Sequence, residues 1–188
     1  MERYTTQLLE PNLGSFVVRF PSEQPPGDDG WHIDSSFPAR RHDAFQRRAN
    51  VNTRGRALLM LFLLTDVTAQ DAPTRLRVGP HHDVARILAP HGEDGLSMLA
   101  ASQRAAEATA DHPVALATGR PGDVYLCHPF LVHAAQAHRG RSPRIIAQPP
   151  LHPPGWTNTS FDAFAGTSSV KAAIRAALHD VPRHQEVR

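Results

Sequence analysis

A histidine and an aspartate stand two residues apart in the segment Trp31-His32-Ile33-Asp34. Side chains at positions i and i+2 of an extended strand project from the same face, so this imidazole and this carboxylate point the same way. Both groups are ligands that iron accepts, and two protein ligands alone leave such a cation under-coordinated. The pair therefore predicts half of a metal site, with a third ligand supplied by a distant part of the chain.

The third ligand is expected in the histidine-containing run 123–144, which offers His128 and His133. These two residues are five apart and would lie on opposite faces of a straight strand. The spacing of eleven residues between His133 and Arg144 favours the second histidine. It allows a strand end, a turn through 137–142 and a return strand that brings the arginine beside the metal. We therefore predict His133 as the third ligand and His128 as a residue at the edge of the core.

Arg144 is followed by Ile145-Ile146 and stands where a strand enters the core. A guanidinium in such a place requires a carboxylate partner, which its planar fork binds through two parallel hydrogen bonds. The sequence thus predicts an acidic co-substrate at Arg144. Cys127, in an apolar strand, is interpreted as a small core residue rather than a nucleophile.

Chance histidine pairs are easy to find in this chain, because it contains 12 histidines. Trp31 and Phe37 strengthen the metal hypothesis, since they would surround the first pair with apolar surface. Eight other histidines are interpreted as solvated residues: His81, His82, His91, His112, His138, His152, His179 and His184.

The composition is that of one globular domain spanning 1–188, with 40% hydrophobic and 20% charged residues. The formal net charge is +2 and the arginines are scattered, so nucleic-acid binding is not expected. The single cysteine excludes an internal disulfide framework and cysteine-based zinc clusters. The longest apolar run, 57–64, is too short to cross a bilayer. A cytoplasmic protein without membrane association is expected.

Short β-branched and apolar segments alternate with turn residues along most of the chain, which predicts a mainly β fold with flanking helices. The core is expected at about 14–150 and a C-terminal helix at about 160–178. Residues 36–50 are interpreted as a surface loop with at most one helical turn, near the substrate. The predicted strands are 14–20, 31–34, 57–64, 74–78, 113–117, 124–127 and 144–147, and the predicted inner helices are 83–88 and 95–110.

With these residues assembled, the chain resembles the phytanoyl-CoA dioxygenase family of Fe(II)- and 2-oxoglutarate-dependent oxygenases. The resemblance covers about 31–147 and rests on several motifs together. In chain order these motifs are Trp31-His32-x-Asp34, Leu64-Thr65-Asp66-Val67-Thr68, Ala72-Pro73-Thr74 before Arg77-Val78, Gly122-Asp123, and His133 with Arg144 eleven residues later.

The resemblance implies a double-stranded β-helix, which is a cupin-like jelly roll. It implies iron held at His32, Asp34 and His133, and 2-oxoglutarate held at Arg144 with a hydroxyl contact from Thr74. The implied reaction consumes O2 and a small-molecule substrate, and it releases succinate and CO2. Related halogenases carry a small residue where this chain has Asp34, so hydroxylation or a related oxidation is expected.

Three features depart from the family pattern. About thirty residues precede the His-x-Asp pair where relatives have a longer helical region, so one wall of the substrate pocket is expected either to be missing or to be supplied by a second subunit of a homo-oligomer. The loop that often reads Pro-Gly-Ser-His is Val78-Gly79-Pro80-His81, and Ala135 replaces a hydroxyl residue. Two alternatives stay open: a cupin-like metal enzyme that works without 2-oxoglutarate, and a non-catalytic jelly roll with a binding or regulatory role.

Overall fold

The computed structural model describes residues 14–34, 37–38, 47–53, 56–149, 151 and 168–179. Most of the elements in these ranges are short antiparallel strands. In chain order they are β1 (Ser15–Arg19), β2 (Phe37–Pro38), β3 (Arg47–Ala49), β4 (Leu59–Leu63), β5 (Arg75–Arg77), α1 (His81–Leu88), a 3-10 helix (Ala89–His91), β6 (Leu96–Ser97), α2 (Met98–Ala108), β7 (Val114–Leu116), β8 (Val124–Cys127), β9 (His133–Ala134), β10 (Arg144–Gln148) and α3 (Ser169–His179).

The largest sheet has four strands in the order β1-β10-β4-β8. Neighbouring strands in it are antiparallel, with Val17 opposite Ile146, Ile146 opposite Leu63, and Leu61 opposite Tyr125. A three-stranded sheet has the order β7-β5-β9, and a second one has the order β2-β3-β6. This strand-rich architecture agrees with the predicted jelly roll with flanking helices.

One apolar core lies between the four-stranded sheet and the β7-β5-β9 sheet. Leu61, Leu63 and Ile146 from the first sheet pack in one cluster with Leu76 of β5 and Leu131. Because side chains alternate along a strand, the residues two positions away from these face the same interior. Arg144, two residues before Ile146, and His133, opposite Leu76, therefore both project into the space between the two sheets.

A second apolar core lies between the helices and the segments that carry the metal-ligand candidates. Ile33, Phe130 and Val132 are fully buried in it, together with Val84 of α1 and Ile174 of α3. The C-terminal helix predicted at about 160–178 corresponds to α3, which spans Ser169–His179. Residues 160–167 lie outside the described residues. Within the described ranges, none of the helices combines the length and the apolar character needed to span a bilayer.

The outer face of the four-stranded sheet is also apolar, but it is open to solvent. Phe16 and Phe20 are 53% and 67% exposed, and Leu126 of β8 is 67% exposed. Leu61 of the neighbouring strand β4 faces inward and is 0% exposed. Two leucines of one sheet thus occupy opposite environments.

Several predicted boundaries differ from the observed ones. The segment 31–34 is not a strand: His32 forms an isolated β-bridge with His133, because the next backbone amide, that of Ile33, donates to the Ser102 hydroxyl of α2 at 3.3 Å. Helix α2 begins at Met98 rather than near Gly95, since the Ser97 hydroxyl accepts from the backbone N–H of Ala100 and caps the helix.

The predicted loop 36–50 contains strands where it is described. Phe37 pairs with Arg48 in the small sheet, and Arg48 pairs in turn with Ser97. The predicted helical turn would fall within 39–46, which lie outside the described residues.

Leu61→Ala and Leu126→Ala test the inward and outward faces with the same substitution. Truncation of the buried Leu61 leaves a cavity and is expected to lower the free energy of unfolding by about 2–5 kcal/mol. Truncation of the exposed Leu126 is expected to change it by less than about 1 kcal/mol. Urea denaturation measures both values, and equal losses would contradict this assignment of the two faces.

Candidate metal centre

The two segments that carry the metal-ligand candidates are joined by a reciprocal pair of backbone hydrogen bonds. The N–H of His32 donates to the carbonyl of His133 at 2.9 Å, and the N–H of His133 donates to the carbonyl of His32 at 3.0 Å. Residues paired in this way lie directly opposite each other. Two positions separated by a hundred residues of sequence are thereby fixed side by side.

His32, Asp34 and His133 each direct one potential ligand atom toward a common point. These three atoms all lie within 4.8 Å of one another. His133 Nε2 is 3.4 Å from Asp34 Oδ2, and His32 Nε2 is 3.8 Å from Asp34 Oδ1. The His133 side chain is only 3% exposed, whereas those of His32 and Asp34 are 34% and 23% exposed. The cluster is therefore closed on the side of His133 and open on the side of the other two.

The hydrogen bonds of the two histidines select the same tautomer. His32 Nδ1 lies 2.8 Å from the carbonyl oxygen of Gly30, and His133 Nδ1 lies 3.3 Å from that of Leu131. A carbonyl oxygen only accepts, so each Nδ1 carries the proton and each Nε2 presents a lone pair. In the described part of the chain, His133 Nε2 is buried and has no hydrogen-bond partner. These features fit a divalent cation.

Asp34 is held in its ionised form. Burial by itself would raise the pKa of this carboxyl group, but its close contact with the His133 ring and the positive potential from Arg56 and His32 outweigh that effect and hold the pKa well below its usual range. A carboxylate that stays charged is the form that binds a cation. The cluster thus combines one negative ligand with two that can be neutral.

His128, the alternative third ligand, lies elsewhere. Its Nδ1 accepts a hydrogen bond from the backbone N–H of Phe130 at 3.1 Å, so the neutral ring carries its proton on Nε2 and has no lone pair left for a metal. Its ring is 4.9 Å from that of His81. Burial, together with the charge of His81, lowers the pKa of His128 to about 4. This histidine is a neutral, packed residue beside α1.

Arg144 lies on the four-stranded sheet and projects into the same interior as His133. It is 2% exposed, and in the described residues its Nε and Nη1 atoms have no hydrogen-bond partner. Burial, with a smaller contribution from the charge of Arg19, lowers the pKa of Arg144 to about 10, which leaves it charged at neutral pH. A buried cation with unused donors fits a carboxylate ligand.

The predicted hairpin between His133 and Arg144 is wrong. Strand β9, which carries His133, pairs with β5, whereas β10, which carries Arg144, pairs with β1 and β4. The arginine therefore reaches the interior from the opposite sheet rather than from a neighbouring strand.

Thr74 immediately precedes β5 and is 8% exposed. The ladder between β5 and β9 pairs Arg75 with Ala134 and Leu76 with His133, and Thr74 is the residue just before it. Thr74 is two residues before Leu76, whose side chain packs in the core between the two sheets.

The sequence pattern gave no indication of the role of Arg75. Its Nη2 donates to the carbonyl of Asp29 and to that of Ala135, both at 2.8 Å, and its guanidinium lies 4.8 Å from the ring centre of Trp31. Arg77 lies over the same ring at 4.4 Å. Arg75 therefore ties the segment that leads into His32 to the segment that follows His133. The sequence signal that could have pointed to this role is the spacing of Arg75 and Arg77, which places two arginines on one face of a predicted strand.

His138 was predicted to be solvated and is buried instead, at 4% exposure. Its Nε2 lies 3.0 Å from the carbonyl oxygen of Ser142, and its Nδ1 accepts from the N–H of Gly140. Both ring nitrogens serve the turn between β9 and β10, which explains why this histidine is inside.

Comparison with known families supports the metal hypothesis for the part of the chain that carries the candidate residues. A sequence model of the family described as phytanoyl-CoA dioxygenase (PhyH) matches residues 9–146. The match includes the segments of all five predicted site residues. No curated protein matches the chain.

The packing of His128 predicts a pH dependence of stability. Because its pKa is about 4 in the folded chain and 6.5 ordinarily, the unfolded chain binds a proton first as the pH falls. Its contribution to stability is present above about pH 6.5 and is lost toward about pH 4, at up to about 1.4 kcal/mol per pH unit. In urea denaturation, His128→Asn should show a shallower fall than the parent over this range. Parallel curves would contradict the prediction.

Arg75→Gln tests whether the tie between the two segments holds the metal centre together. Loss of an outer contact that orients ligands typically costs about 10- to 100-fold in metal affinity. We expect a decrease of this size in Mn(II) affinity, measured by calorimetry, because the two ligand-bearing segments separate. Arg120→Gln, at an exposed arginine, is the matched control. An unchanged affinity in Arg75→Gln would show that the backbone pairing is sufficient.

Proposed function

Because this chain belongs to the phytanoyl-CoA dioxygenase family, we propose that it is an Fe(II)- and 2-oxoglutarate-dependent dioxygenase that hydroxylates a small molecule and releases succinate and CO2. The observation that carries the proposal is the convergence of His32, Asp34 and His133 in one cluster of potential ligand atoms, within 4.8 Å of one another. Two histidines and one carboxylate with open positions are the ligand set of non-haem Fe(II) oxygenases.

In this proposal His32, Asp34 and His133 hold the iron. When bound, Fe(II) supplies the activation of O2 that is coupled to oxidative decarboxylation of 2-oxoglutarate. The chain contributes the charge and the orientation of the ligands: Asp34 stays ionised, and the backbone carbonyls of Gly30 and Leu131 fix the proton on Nδ1 of each histidine. The Nε2 lone pairs then need no proton loss before they bind metal.

Arg144 binds the distal carboxylate of 2-oxoglutarate in this proposal. Its buried, unpartnered donors and its position on the sheet opposite His133 support this role. Thr74, which immediately precedes β5, adds a contact from its hydroxyl group to the co-substrate. The apolar residues between the two sheets, Leu61, Leu63 and Leu131 among them, exclude water from the interior.

The substrate approaches from the open side of the cluster, where His32 and Asp34 are partly exposed. Asp34 occupies a ligand position that related halogenases leave to a halide. Because this carboxylate is present and ionised, the proposed outcome is hydroxylation or a related oxidation of a C–H bond.

The alternatives differ in what they require of Arg144 and of the cluster. A metal enzyme that works without 2-oxoglutarate would supply no carboxylate for the unpartnered donors of the buried Arg144. A non-catalytic jelly roll would have no use for a buried, unpartnered His133 Nε2 beside an ionised carboxylate. Burying such groups costs free energy, which favours a ligand for each of them.

The proposed function predicts iron-dependent conversion of 2-oxoglutarate to succinate, stimulated by the substrate. The iron-loaded protein is incubated with 2-oxoglutarate and a library of small metabolites, and succinate is quantified. We expect Asp34→Ala and His133→Ala to lower succinate release by at least about 100-fold, because each removes one of three ligands. His179→Ala, at an exposed histidine of α3, is the control and should behave as the parent does.

Undiminished succinate release in Asp34→Ala or His133→Ala would contradict the ligand assignment. A parent that binds Fe(II) but does not respond spectroscopically to 2-oxoglutarate under anaerobic conditions would favour the enzyme that works without it. A parent that binds no iron would favour the non-catalytic alternative.

A further inference from the structure

A second arginine stands beside Arg144 in the four-stranded sheet. Arg19, the last residue of β1, is directly opposite Arg144 in the antiparallel ladder between β1 and β10. Directly opposed residues project from the same face with their Cβ atoms about 4.5–5.5 Å apart. The side chains of Arg19 and Arg144 therefore project from the same face of the sheet, which is the face that carries Val17 and Ile146.

Like charges in directly opposed positions of a sheet are destabilising unless other groups compensate for them. Asp28 is the acid that ion-pairs with Arg19, and its charge also acts on Arg144. Two cations and one carboxylate leave a local charge of +1. An incoming carboxylate would make this group neutral.

The unused donors of the two arginines lie on the buried side of the pair. Arg19 donates to Asp28 through Nη2, whereas its Nε is buried and has no hydrogen-bond partner in the described residues. The same holds for Nε and Nη1 of Arg144. The Arg19 side chain is 17% exposed and Asp28 is 65% exposed, so the ion pair faces the surface while the free donors face inward.

We propose that Arg19 is a second binding residue for the distal carboxylate of the co-substrate, so that two guanidinium groups from adjacent strands share one carboxylate. A carboxylate has two oxygens and about four acceptor positions, which is enough for donors from both side chains. Asp28 holds the outer edge of Arg19 and orients its remaining donors toward Arg144. This inference rests on the proposed use of 2-oxoglutarate.

A purely structural role for Arg19 makes a different prediction. If the arginine only anchored the end of β1 through Asp28, its loss would weaken the sheet and affect every ligand of the interior alike. A binding role affects only those ligands that possess the second carboxylate. Two keto acids that differ in this group separate the two roles.

The test is calorimetric binding of 2-oxoglutarate and of 2-oxobutyrate, which lacks the distal carboxylate, to the Mn(II)-loaded protein. We expect Arg19→Gln to weaken 2-oxoglutarate binding about 10- to 100-fold, the usual effect of losing a hydrogen bond between charged groups. Binding of 2-oxobutyrate should change by less than about twofold, since it makes no contact with the arginine pair. Arg19→Lys, which keeps the charge, should restore part of the loss.

Arg141→Gln, at an exposed arginine between β9 and β10, is the matched control. This variant should bind both acids as the parent does. Unchanged 2-oxoglutarate binding in Arg19→Gln, or an equal loss for both acids, would overturn the role of Arg19 and leave the proposed function intact. A parent that binds Mn(II) but not 2-oxoglutarate would overturn the proposed function, and the role of Arg19 with it.

Discussion

The candidate site depends on one pair of backbone hydrogen bonds, those exchanged between His32 and His133. They are a small part of the fold, yet they set the separation of two ligand-bearing segments that are distant in sequence. Bringing together the two ends of the chain segment between His32 and His133 costs conformational entropy, so the pairing needs support from its surroundings. Arg75 gives that support from one side, through two carbonyls and the Trp31 ring, and the helical core that contains Ile33 and Val132 gives it from the other.

The interior between the two sheets contains two buried polar side chains whose hydrogen bonding is incomplete. His133 and Arg144 are both at most 2% exposed, and both have side-chain nitrogens without hydrogen bonds in the described residues. Natural proteins seldom leave such groups unsatisfied, because each costs free energy. His133 belongs to the β7-β5-β9 sheet and Arg144 to the four-stranded sheet, so the two side chains face one apolar interior from opposed sides. The proposed binding of a metal and a keto acid would use this arrangement.

Most of the strand positions could be predicted from the sequence. The apolar run around β4, the turn before β8 and the β-branched segments of β1 and β10 have local patterns that specify strands. Predictions failed where distant contacts decide the local conformation. The segment around His32 forms a single bridge because Ser102 takes the next amide, and β10 joins β1 and β4 rather than returning to β9. His138 is buried because it caps its own turn, which composition does not reveal.

By itself the sequence determined the chemical types at the site, namely two candidate histidines, one carboxylate and an arginine at a strand entry, as well as the family to which the chain belongs. The spacing to Arg144 favoured His133 over His128, and only the tertiary structure brought His133 beside the first pair, placed Arg144 on the opposed sheet and placed Arg19 opposite it. The reason is physical. Side-chain alternation is a local property of the chain, whereas strand pairing and register depend on contacts between segments far apart in sequence.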